Sequence, residues 1–307
     1  MSDITAAFFN GSGRLRSGWR AVVFILLFVF SSVSVNALLL AAGGTALSVF
    51  PLSLIVNAAS SLVLALILGS LCGKYLEGLP LASIGIPFTR TGLRNLVHGS
   101  ILGAATLSLA VLIAFAGRGT DHSLTTASTL DLADSIFTSF LIFGVAAAFE
   151  EALFRGYVLQ TLARSGFAWT AIALTAIFFG MIHIANPGAT LLSTTNTILA
   201  GVWFGLAYLR TRDLWFVWGL HFMWNWMQGS IFGVEVSGLT ALTPYPLLHE
   251  IDNGPEWLTG AAYGLEGGVA CTLAIIVSIL YIILVKPRKA LTAEADHART
   301  SADLDLE

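Results

Sequence analysis

The stretch GVAAAFEEALFRGYVLQ holds two adjacent carboxylates, Glu150 and Glu151, and one guanidinium, Arg155, inside an otherwise apolar run. Two later apolar runs hold His183 and the pair His221 and Asn225. A charged side chain near a bilayer centre costs on the order of 2.5–3.5 kcal/mol by insertion scales, so ionisable residues in such runs are first candidates for chemistry. Each helical residue turns about 100°, so Glu151 and Arg155 at i, i+4 share a face while Glu150 points about 100° away. Glu151 is therefore expected to pair with Arg155, which leaves Glu150 to face a water-filled cavity as a general base.

His183 follows Phe179 by four residues, and Asn225 follows His221 by four, so each pair shares a helix face. Singly, each fits interhelical hydrogen bonding. Together, Glu150, His183, His221 and Asn225 from three runs make a hydrolytic set: a base, two donors for an oxyanion and an orienting amide. The two histidines lie on different runs and neither adjoins a Glu, which excludes the helical HExxH zinc pattern. Glu150, His183 and His221 could still hold zinc with a water in the fourth position, whereas a metal-independent route would use the histidines as donors; the residues leave both open.

These side chains need elements of membrane length to position them. The chain has 307 residues, of which 56% are hydrophobic and 11% charged, with a mean hydropathy of +0.82. That balance excludes an ordinary soluble domain. Apolar segments fall at 21–42, 51–73, 95–117, 133–163, 167–185, 190–209, 214–234 and 265–285, predicting an all-α polytopic transmembrane bundle of about eight spans. Of the 15 Lys and Arg residues, all but Arg118 fall on one side of this arrangement. Asp121, Asp131, Asp134, Glu235, Glu250, Asp252 and Glu256 fall on the other. The asymmetry puts both termini in the cytoplasm.

The expected organisation is a cytoplasmic N-terminal segment, 1–20, a transmembrane domain, 21–285, and a polar cytoplasmic tail, 286–307, that reads as disordered. The first apolar run is too long for a signal-peptide core and reads as a retained span. The Pro- and Gly-containing loop at 235–263 reads as irregular, and 78–96 as an interfacial segment. Cys72 and Cys271 both lie in apolar runs, which argues against a disulfide framework. The formal charge of −3 gives no sign of a nucleic-acid partner; membrane lipids and a membrane-associated peptide or protein are the partners expected.

Three motifs, EEALFRG at Glu150–Gly156, FGMIH at Phe179–His183 and HFMWN at His221–Asn225, resemble those of the CAAX protease and bacteriocin-processing family of intramembrane proteases, in particular its type 2 CAAX prenyl endopeptidases. The resemblance covers about 135–232 and implies an eight-helix bundle whose site opens to the cytoplasmic side, in the inner membrane of a prokaryote. It implies an endopeptidase in which Glu150 activates water, His183 and His221 stabilise the oxyanion or bind metal, and Asn225 supports them. Glu151, Arg155 and Phe179 match the remaining motif positions. Two other classes use the same residue types: a proton-coupled transporter, and a catalytically idle scaffold or bacteriocin self-immunity protein.

Overall fold

A computed structural model describes residues 3–43, 49–84, 86 and 89–285; the predicted tail, 286–307, lies outside the described residues. The chain is an all-α membrane bundle. After a short helix α1 (Asp3–Phe8) come α2 (Ser17–Gly43), α3 (Leu52–Glu77), α4 (Arg90–Ala116) and α5 (Thr129–Glu151). A wide π turn at Ala152–Val158 carries α5 into α6 (Leu159–Arg164). Next are α7 (Ala168–Ile182), α8 (Leu191–Thr211) and α9 (Leu214–Trp226), which ends in a second π turn at Met227–Ile231. The short α10 (Glu256–Thr259) and α11 (Val269–Leu284) complete the helices among the described residues.

Local chemistry sets several helix starts. The side chains of Thr89, Ser128, Thr190 and Asp213 each accept a backbone N–H from the first turn of α4, α5, α8 and α9. Apolar side chains that a soluble protein would bury point outward, among them Phe30, Leu38, Ile101, Phe137 and Leu284. Such an inverted surface suits lipid. Inside, Leu107, Leu159, Ile172, Trp203, Leu220 and Ile275 form the main core.

Four of the described helices are long and apolar enough to cross a membrane by length and composition: Ser17–Gly43, Leu52–Glu77, Arg90–Ala116 and Thr129–Arg164. Ala168–Ile182 and Val269–Leu284 are apolar but shorter. A helix of 15 residues, such as α7, spans only about 22 Å of a hydrocarbon core about 30 Å thick. It stops because the chain turns at 183–190 through Pro187 and Gly188. The expected run at 214–234 likewise loses α-helical winding after Trp226, and that at 265–285 starts with a single 3₁₀ turn, Leu265–Gly267.

One expectation gains detail and one is corrected. The run at 133–163 lies within one apolar helix of membrane length, Thr129–Arg164, whose winding widens where Gly156 takes ψ −107° in the π turn. The loop at 235–263 is not wholly irregular, since β2 (Leu248–Asp252) pairs antiparallel with β1 (Thr120–Leu124), His122 opposite Glu250.

Close helix approach positions the later motifs. A Cβ on Gly99 would sit 1.9 Å from Phe216 O, one on Gly103 2.2 Å from Leu220 O, and one on Gly219 2.2 Å from Leu96 O. Thus α4 and α9 touch backbone to backbone, which fixes the helix that carries His221. At the bundle end opposite the sheet, Glu77 pairs with Arg164 at 2.9 Å and with Arg20 at 3.6 Å, joining α2, α3 and α6.

Candidate active site

The π turn after Glu151 keeps Arg155 on the same face, and its Nη1 lies 3.1 Å from Glu151 Oε1. Both side chains are buried, Arg155 at 0% and Glu151 at 1% exposure. The other guanidinium branch donates to the Gly201 carbonyl at 3.1 Å. A Cβ on Gly201 would stand 2.6 Å from Ala176 Cα, so α8 approaches α7 closely at the turn where that carbonyl is offered. The rings of Phe154, Phe179 and Phe204 lie 5.7, 4.8 and 5.1 Å from the guanidinium carbon. Each such contact contributes about 0.5–2 kcal/mol, less than the several kcal/mol of desolvating one ion, so the Glu151 carboxylate is the main compensation.

The same Glu151 oxygen meets His221 Nδ1 at 2.8 Å. An ionised carboxylate only accepts, so Nδ1 carries the proton and donates, turning Nε2 toward Glu150. That Nε2 lies 3.8 Å from Glu150 Oε2, beyond direct hydrogen bonding. Phe204 stacks on the imidazole with centroids 4.6 Å apart at 23°, and Phe179 meets it edge-on at 6.0 Å. The ring is thus held from one side by charge and from two by aromatic faces.

His183 caps the end of α7, and its Nδ1 lies 2.7 Å from the Phe179 carbonyl. A carbonyl oxygen also only accepts, so here too Nδ1 donates and Nε2 is left free. Phe179 therefore touches Arg155, His183 and His221 at once, its ring centroid 4.8 Å from that of His183.

Glu150, His183, His221, Asn225 and Phe179 line one cavity of about 180 Å³. Glu150 is 24% exposed, so adjacent carboxylates have opposite settings, one locked in an ion pair and one facing open space. The Asn225 amide lines the cavity and makes no hydrogen bond to another described residue, so it is available to a ligand and does not brace either histidine. Sequence reasoning missed Phe204, and also the polar wall made by Asn186, Asn196, Ser237 and Glu266.

Two imidazoles that donate from Nδ1 and leave Nε2 free are in the tautomer that metal-binding histidines adopt. Among the described residues no group of three His, Cys, Asp or Glu side chains is already gathered around a point that could hold an ion.

The fold and the cavity define a class, a helical membrane protein with buried carboxylate, imidazole and amide groups around one hollow. Residues 132–227 match the family model described as Type II CAAX prenyl endopeptidase Rce1-like, so that segment of the chain is similar to the CAAX protease family. No curated protein and no solved structure matches the chain.

Proposed function

We propose that the chain is an intramembrane endopeptidase that hydrolyses peptide bonds of membrane-associated substrates with water activated by Glu150. The observation that carries the reading is the division of labour between neighbours: Glu151 is spent on Arg155 and His221, while Glu150 lines a cavity with His183, His221 and Asn225. Glu150 takes a proton from water as the water oxygen attacks the peptide carbonyl carbon. It returns that proton to the leaving nitrogen as the C–N bond breaks, giving a carboxylate and an amine. When an imidazole carries both protons, its Nε2–H is a donor to the tetrahedral oxyanion, and at His221 the Glu151 carboxylate balances the added charge. Asn225 supplies an amide to orient the substrate backbone.

The proposed setting is the inner membrane of a prokaryote, with about eight spans, both termini cytoplasmic and substrate entering from that side. The distribution of Lys and Arg supports it. CAAX-type or peptide-precursor substrates fit the family description.

The test compares the membrane proteome of cells carrying wild type with that of cells carrying Glu150→Gln at equal expression. Specific C-terminal or precursor fragments present only with wild type are expected. Identical fragment sets would refute the reading and favour a catalytically idle scaffold.

A further inference from the structure

The cavity wall carries a second acid that the proposed reaction does not use. Glu266, in the 3₁₀ turn ahead of α11, lines the same cavity as Glu150. Its Oε1 accepts the Trp224 indole N–H at 3.2 Å, and its Oε2 accepts the Ser237 backbone N–H at 2.6 Å and hydroxyl at 2.7 Å. Trp224 and Ser237 also line the cavity, so the carboxylate end of Glu266 lies on its wall. The turn itself is fixed by Asn196, which donates to the Glu266 and Gly268 carbonyls at 2.9 Å each.

All three groups bonded to this carboxylate are neutral. Glu151 is balanced by Arg155, and Glu77 by Arg20 and Arg164, but no ion pair among the described residues involves Glu266. A carboxylate accepts about four hydrogen bonds, and three are taken here. The site therefore holds the acid rigidly while leaving both its charge and one acceptor position uncommitted. Such an acid in a largely apolar setting is costly unless a cation meets it.

His221 and Trp224 are three residues apart on α9, a rise of about 4.5 Å. Glu266 is thus about one helical turn along the cavity from the Glu150 and His221 end, which at about 3.3 Å per extended residue is one or two residues of a bound peptide. We infer that Glu266 is a substrate-selecting acid that receives a lysine or arginine side chain one or two residues from the scissile bond and disfavours a carboxylate there. The inference rests on the peptidase reading and names the substrate class of that cavity.

The test uses full-length protein in nanodiscs and matched peptides with Lys, Gln or Glu at the two positions on each side of the cleaved bond. Wild type is expected to favour Lys over Gln in kcat/KM at one of these positions by about tenfold or more, with Glu poorer still. Glu266→Gln should bring the Lys to Gln ratio near one, and Glu266→Asp should keep it above one. A wild-type ratio near one at every position overturns the inference, as does a ratio unchanged in Glu266→Gln. Binding of the same peptides to Glu150→Gln, with and without Glu266→Gln, reads the subsite without turnover, and equal affinity for Lys and Gln peptides in both overturns it as well. Failure of the peptidase reading has a different signature, turnover that does not depend on Glu150.

Discussion

At the residue scale the organising feature is one carboxylate oxygen, Glu151 Oε1, shared by Arg155 at 3.1 Å and His221 Nδ1 at 2.8 Å. Removing one partner of a buried pair leaves an uncompensated charge and costs about 3–5 kcal/mol, whereas replacing both by neutral groups is often near neutral. Glu151→Gln is therefore expected to lower thermal stability in detergent markedly. The double variant Glu151→Gln with Arg155→Met should recover most of that loss, yet stay poor in peptide cleavage because His221 has lost the anion that orients it. If cleavage recovered together with stability, Glu151 would have only a packing role. The sequence made Glu151 and Arg155 legible because i, i+4 spacing on a helix is a geometric constraint that survives the π turn. Phe204 was not legible, since one aromatic in the run VWFGLAYL has nothing to distinguish an imidazole stack from a lipid-facing ring. Glu266 was missed although it stands at the head of the last apolar run, because its partners Ser237 and Trp224 are distant in sequence and give no periodic signal.

At the element scale, helices placed by their apolar length were found near where they were expected, whereas the pairing of β1 with β2 joins segments more than a hundred residues apart and left no local trace. That sheet carries its own electrostatic signature. Burial first, and then the charges of Glu235 and Asp252, push the Glu250 carboxyl up to about 8 from an ordinary 4.5. A folded-state pKa above the unfolded value means a contribution fully present below about pH 4.5 and lost as pH rises through about 8. His122, across the sheet, is held below its ordinary 6.5 chiefly by burial and acts in the opposite sense, losing stability as pH falls below that value. The difference between wild type and Glu250→Gln isolates the acid. Corrected amide exchange across 248–252 should quicken from pH 5 to pH 8.5 in wild type and much less in Glu250→Gln. Equal changes in both would show that Glu250 is not the source.

At the scale of the whole molecule, an apolar exterior surrounds a cavity with polar groups on its wall, and the Lys and Arg pattern supports the proposed direction of that body in the membrane. Composition revealed the class at once, because a chain 56% hydrophobic and only 11% charged must leave many large apolar side chains, Phe30 and Leu284 among them, on its surface. It could not reveal helix lengths such as that of α7, which are set by where the chain turns back over the cavity. The proposed orientation predicts that a cysteine at Tyr75, 73% exposed, reacts with an impermeant maleimide only from the cytoplasmic face, and one at Leu124, 72% exposed, only from the opposite face. The native Cys72 and Cys271 are buried and give little background. Labelling of both positions from one face would contradict the topology. The central claim, that Glu150 drives water into a peptide bond, is tested most directly by digesting a peptide library in ¹⁸O water with nanodisc-embedded, chelator-treated wild type and Glu150→Gln, and reading new C-termini by mass spectrometry. The account predicts ¹⁸O-labelled new carboxylates from wild type and none from the variant, while equal labelling from both would contradict it.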